Sequence, residues 1–164
     1  MFNKGDYVVN SNNGICRIDD IVELNTPNGK KEYYLLIPFN EQTAKIYIPL
    51  DSASKRIRYA MNKEQAIQLI ESIKNINETY IENEKEREKI YKDAINSCNP
   101  QKLVGIIKNL YLRRLERTNS GKKNTVVDDR YFKLAENQLH NELSFALQVE
   151  KEQVVQIIAQ SIVE

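Results

Sequence analysis

Histidine is nearly absent from this chain of 164 residues: His140 is the single one. A His-based metal site or a Ser-His-Asp triad is therefore a poor expectation. Cysteine is almost as scarce. Cys16 and Cys98 are two lone thiols, too few for a disulfide framework or a zinc cage. No apolar run approaches the roughly 18 residues that a membrane helix needs, which argues against a spanning protein. The start MFNKGDYVV offers no apolar h-region, so a cytoplasmic location is expected. Glycine and proline are few, five and four, while hydrophobic residues make up 41% and charged residues 29%. That balance belongs to a folded chain with a real core, not to a disordered one.

Net charge is +1 and by itself names no partner. Its distribution says more. Glu78, Glu82, Glu84, Glu86 and Glu88 face only Lys85 and Arg87 between 78 and 88. From 102 to 123 the balance reverses, with Lys102, Lys108, Arg113, Arg114, Arg117, Lys122 and Lys123 against Glu116 alone. Cations at a helix C-terminus account for two or three of these charges. Seven against one points further, to a surface that holds phosphate.

Two periodicities divide the chain. Up to Tyr59 the pattern is that of short strands separated by turns. Asp6 to Val9 leads into the turn cluster Ser11-Asn12-Asn13-Gly14, and Ile15 to Val22 continues as a strand. Thr26-Pro27-Asn28-Gly29 is a second turn. Lys31 to Pro38, Lys45 to Pro49 and Ile57 to Tyr59 follow as strands. This spacing predicts a small antiparallel barrel or curled sheet over 1–60. After Tyr59 the period becomes helical over 61–164. Asn62 with Gln65 forms a capping-box pattern. Asn75 to Glu82 reads as a break before a charged helix around Ile90, Tyr91, Ala94 and Ile95. Asn99-Pro100 starts a helix to about Arg117 that buries Leu103, Val104, Ile106, Ile107, Leu110, Tyr111 and Leu115. Arg114 and Arg117 fall at the angle of that apolar face, so the helix end is expected to project beyond its core and carry them out. Further helices run from about Val127 to Val149 and from about Lys151 to Ile162. The fold class is α+β, a small β barrel followed by a compact all-helical domain.

Catalytic signals are thin. No GxSxG, GxxxxGK[ST], HExxH or strand-bound GxGxxG occurs. His140 reads as a solvated residue on the polar side of its helix. The glutamates of 78–88 read as a solvated helix face with surface pairs. Asp19 and Asp20 point to opposite faces of a strand, and Asp128 and Asp129 begin a helix where the dipole favours them. An enzyme would need His140 or the glutamate run set in a cleft.

The opening Met1 to Val9, with Asn13-Gly14-Ile15-Cys16-Arg17-Ile18 behind it, resembles the start of the CarD/CdnL family of bacterial transcription regulators. Asn13-Gly14 occupies the family's His-Gly turn position. Lys31 to Leu36, Ile46 to Pro49 and Ile57-Arg58 resemble its later strands, and the likeness continues through Leu103 to Arg117 and Lys133 to Leu143. The resemblance implies a Tudor-like β domain over 1–60, a module also present in transcription-repair coupling factor, that docks on the β subunit of RNA polymerase. It implies a helical domain over 61–164 that contacts promoter DNA at the upstream edge of the melted bubble. There the family uses a basic surface and a wedging tryptophan. This chain has no tryptophan. One alignment puts Tyr80 in its place, and a gap-free one puts Glu84 there.

The expected site residues are Lys45 and Tyr47 for polymerase, on a strand suited to an open sheet edge. For DNA they are Tyr80, Arg113, Arg114, Arg117, Lys122 and Lys123. No cofactor, membrane or small-molecule substrate is expected. The alternative function is a protein-only adaptor that docks on polymerase or another partner without touching DNA.

Overall fold

The computed structural model describes residues 1–163, and their side chains through Ser161; Ile162, expected on the apolar face of the last helix, has its side chain outside that description. The chain divides into two compact units between Ala60 and Met61.

The first unit is an antiparallel sheet of five strands. They are β1 (Tyr7–Asn10), β2 (Gly14–Thr26), β3 (Gly29–Pro38), β4 (Ile46–Pro49) and β5 (Ile57–Tyr59), in the spatial order β4-β3-β2-β1-β5. A short helix, α1 (Ala53–Arg56), precedes β5. The turn after β1 is closed by the Asn10 side chain, which accepts from the amide of Asn12 at 2.9 Å. Gly14 completes it at φ 69°, a conformation that glycine adopts without a Cβ penalty. A bulge at Asp19 shifts the register between β2 and β3. Arg17 and Asp19, two residues apart on β2, form an ion pair at 3.0 Å. Val8, Cys16, Ile18, Tyr34, Leu36, Ile48, Ala53 and Ile57 form the core of the sheet. Burial pushes the Cys16 thiol up to about 11.

The expected barrel is not closed. Among the described residues β4 pairs only with β3, and β5 only with β1. The edge strands are four and three residues long. Pro49 ends β4, and proline has no N–H with which to continue a ladder.

The second unit contains α2 (Lys63–Ser72), α3 (Arg87–Asn96), α4 (Pro100–Asn119), α5 (Val126–Leu147) and α6 (Lys151–Val163). Their starts follow from local chemistry. The Asn62 side chain accepts from the Gln65 amide while the Gln65 side chain accepts from the Asn62 amide, a complete capping box. Asn99 caps α4 with Pro100 at its first turn, and Thr125 caps α5. Leu69, Ile73, Tyr91, Leu103, Ile106, Leu139, Leu143 and Val154 meet in a single core. Leu115, expected in it, is largely exposed instead, beyond the last buried position of α4 at Leu110. Glu142 is buried in this unit and accepts from the Met61 amide at 2.8 Å.

Candidate partner-binding surfaces

On the sheet, β4 is an edge strand whose register sets Tyr47 opposite Leu35. Tyr47 is 42% exposed, and Ile48, the next residue, turns into the core. That alternation aims one side chain at the core and leaves its neighbour available for a partner. Lys45 lies just before β4 and is exposed. The unpaired backbone of such a strand can accept another strand.

Tyr80 stands on the irregular segment between α2 and α3, with 83% of its surface exposed. The backbone around it is held on several sides by α4. The amide of Thr79 donates to the carbonyl of Gly105 at 3.1 Å. The Thr79 carbonyl accepts from the Asn109 side chain at 3.1 Å. The Lys108 ammonium donates to the Ile76 carbonyl at 2.6 Å, and burial lowers its pKa. Asn109 is itself oriented by the Tyr91 hydroxyl, which donates to it at 2.7 Å. Burial raises that hydroxyl's pKa to about 12, so it stays protonated as a donor. An exposed aromatic therefore rides on a braced backbone. Its concave surroundings are acidic: Glu82, Glu84 and Glu86 line the same depression.

The expected solvated helix face at 78–88 takes a different form. Glu78 and Glu82 lie outside any helix, and only Glu84–Glu86 forms a short helical turn before α3. Glu84, the alternative occupant of the wedge position, lies between two arginines. It accepts from Arg87 at 2.9 Å and stands 3.6 Å from Arg113. Glu88 accepts from the Tyr131 hydroxyl and from Arg130, each at 2.9 Å, and its pKa is lowered, first by the Tyr131 bond.

The arginines of the basic run fold back instead of projecting. Antiparallel packing of α4 against α5 brings Arg113 to Asp128, with Nε 2.6 Å from Oδ2, and Arg114 to Asp129 at 3.0 Å. Asp128 is buried. Asp129 has its pKa lowered, first by the Asn124 side chain and then by Arg114. Arg114 also stacks 4.7 Å above the Phe132 ring. Arg117 donates from Nε to the Lys123 carbonyl at 3.0 Å. Among the described residues Lys102, Lys122 and Lys123 form no ion pair, and all three are exposed. The signal for the pairing lay just past the basic window. An N-cap at Thr125 places Asp128 and Asp129 in the first turn of α5, beside the last turns of α4.

His140 is not a surface residue. It is 4% exposed, on α5, in the wall of a cavity between α4, α5 and α6. Burial lowers its pKa to about 4, with Lys151 adding to the effect. No hydroxyl, thiol or carboxylate bonds to its ring among the described residues.

An open strand edge and a braced, exposed aromatic are the surface features that the two units present. Comparison with known families gives the class of protein. Residues 2–61 match the CarD-like/TRCF RID domain, and residues 68–159 match the CarD C-terminal domain. The chain belongs to the CarD family, and its first unit is a Tudor-like RID domain. It is an RNA polymerase-interacting transcription regulator. CarD-like families are non-enzymatic transcription factors. No curated protein matches the sequence significantly. Among the described residues no helix is long and apolar enough to cross a membrane.

Proposed function

We propose that the β domain, 1–60, docks on the β subunit of RNA polymerase through the β4 edge, with Tyr47 and Lys45 in the contact. The helical domain, 61–164, then touches promoter DNA near the upstream edge of the bubble and modulates the stability of the open complex in the bacterial cytoplasm. Tyr80 carries this reading. A largely exposed ring on a backbone held by Gly105, Lys108 and Asn109 loses little entropy when it meets a base step. Lys122 and Lys123 supply phosphate contacts directly. Arg114 and Arg117 supply them at the cost of sharing their present partners, and Arg113 does so least, because Asp128 holds it.

Two observations favour the second reading, a protein-only adaptor. The depression beside Tyr80 is lined by glutamates, which repel phosphate. Two of the arginines already have carboxylate partners.

Open-complex lifetime measured against salt separates the two. DNA contact predicts that Lys122→Ala lowers lifetime on every promoter and reduces the salt slope by about one. Tyr80→Ala shortens lifetime with polymerase binding intact, whereas Tyr47→Glu weakens polymerase binding itself. Unchanged lifetime and slope for Lys122→Ala and Tyr80→Ala, with polymerase bound, would leave the adaptor.

A further inference from the structure

The cavity beside His140 contains none of the residues proposed for polymerase, and of those proposed for DNA it contains only Arg114. It measures about 190 Å³. Ile107 and Tyr111 from α4, Phe132 from α5, and Val155 and Ile158 from α6 give it walls that are mainly apolar. His140 stands among them, buried, with no hydrogen-bond partner among the described residues. Arg114 and Glu136, both partly exposed, line it as well.

This composition is unusual for plain packing. The His140 ring forms no hydrogen bond within the described residues, yet its nitrogens are not among the sealed unpaired atoms, so solvent reaches them, and a polar edge in an apolar pocket is where a ligand's polar group is oriented. A neutral imidazole offers one N–H donor and one nitrogen acceptor. Its low pKa keeps it in that neutral form at physiological pH. A dry apolar cavity of about 150 Å³ in another protein holds benzene, so the present volume suits a single aromatic ring with one or two further atoms. Ring faces are matched by Phe132 and Tyr111. Neither sign of charge is invited. Arg114 already pairs with Asp129 and Glu136 would repel an anion, a cation at Glu136 would meet the positive charges of Arg114 and Lys151, and burial of any unpaired ion is costly. A single water would find His140 but few of the other polar partners that it needs.

We propose that this cavity is a binding site for a small uncharged aromatic molecule of one ring, bearing a hydroxyl or ring N–H that hydrogen-bonds to His140. The site shares Arg114 with the residues proposed to contact DNA, and it needs neither reading of function.

Phenol and toluene test it, because they share size and shape and differ in the hydroxyl. The full chain, labelled with ¹⁵N-histidine, is titrated with each near pH 7.5. The chain has one histidine, so the ring signals need no assignment. Phenol is expected to shift one His140 ring nitrogen and to bind about three- to tenfold more tightly than toluene. In His140→Leu the phenol preference should be lost or reversed, because the hydroxyl is then buried without a partner. No ring shift with phenol, equal affinities in the natural protein, or a phenol preference that survives in His140→Leu would each overturn the proposal. The ring shift alone decides it if the variant does not fold.

Discussion

A Cβ on Gly105 would stand 2.7 Å from Oγ1 of Thr79. This is closer than carbon–oxygen packing allows, so α4 and the Tyr80 segment touch because residue 105 has no side chain. Gly105→Ala sets two effects against each other. Alanine gains roughly 1 kcal/mol of helix propensity, and the new methyl forces Thr79 aside and strains its bond to the Gly105 carbonyl. Global stability should therefore change by no more than about 1 kcal/mol, while amide exchange at Thr79 and Tyr80 accelerates. Adding Thr79→Ala removes the obstructing atom and should restore slow exchange. Exchange unaltered in Gly105→Ala would mean that the segment is not braced here.

Arg113 and Asp128 form the most buried ion pair described in the helical unit, with side chains 21% and 3% exposed. Removing one partner leaves a charge in the core. Arg113→Ala should lower unfolding free energy by about 3–5 kcal/mol. The double change Arg113→Met with Asp128→Leu should recover most of it, since apolar replacements avoid the desolvation of both ions. Urea denaturation of the three proteins checks this. It also shows why Arg113→Ala is a poor probe of DNA contact.

Burial of His140 should give stability a pH dependence whose sign follows from its lowered pKa. Above about pH 6.5 the ring is neutral both folded and unfolded and contributes no slope. Below that, the unfolded chain takes up a proton that the native ring refuses down to about pH 4. Stability should fall across this window, by roughly 3 kcal/mol in full. Carboxylates titrate nearby, so the measurement is the difference between the natural protein and His140→Leu. That difference should be flat from pH 7 to 8 and should move against the natural protein as pH falls from 6.5 to 4. A flat difference throughout would contradict the buried neutral ring.

Gln148 ends α5 in the left-handed region, at φ 57° and ψ 44°, with its side chain exposed. A non-glycine residue pays about 1–2 kcal/mol there, and glycine is the usual occupant of this position. Gln148→Gly should raise stability by about 0.5–1 kcal/mol after the entropy of the unfolded glycine is counted. Thermal unfolding followed by circular dichroism is sufficient to detect the gain.

What the sequence determined by itself is local. The change of period near Tyr59, the capping box at Asn62 and Gln65, the Asn99-Pro100 start and the turn at Ser11 to Gly14 each act within a few residues. Such signals survive without knowledge of any neighbour. The family pattern was legible for the same reason, as an ordered set of short motifs. Tertiary structure alone decided the rest. His140 fell on the polar side of a helical wheel drawn for one buried face, but α5 packs against α2, α3, α4 and α6, so its buried arc is far wider than one stripe. Arg113 and Arg114 read as free cations until the antiparallel α4–α5 pair brought Asp128 and Asp129 beside them, fifteen residues along the chain. Thr79 meets Gly105 across a still longer gap. Charge, burial and close approach are properties of pairs in space, and periodicity along one segment holds no record of which segment will lie against it.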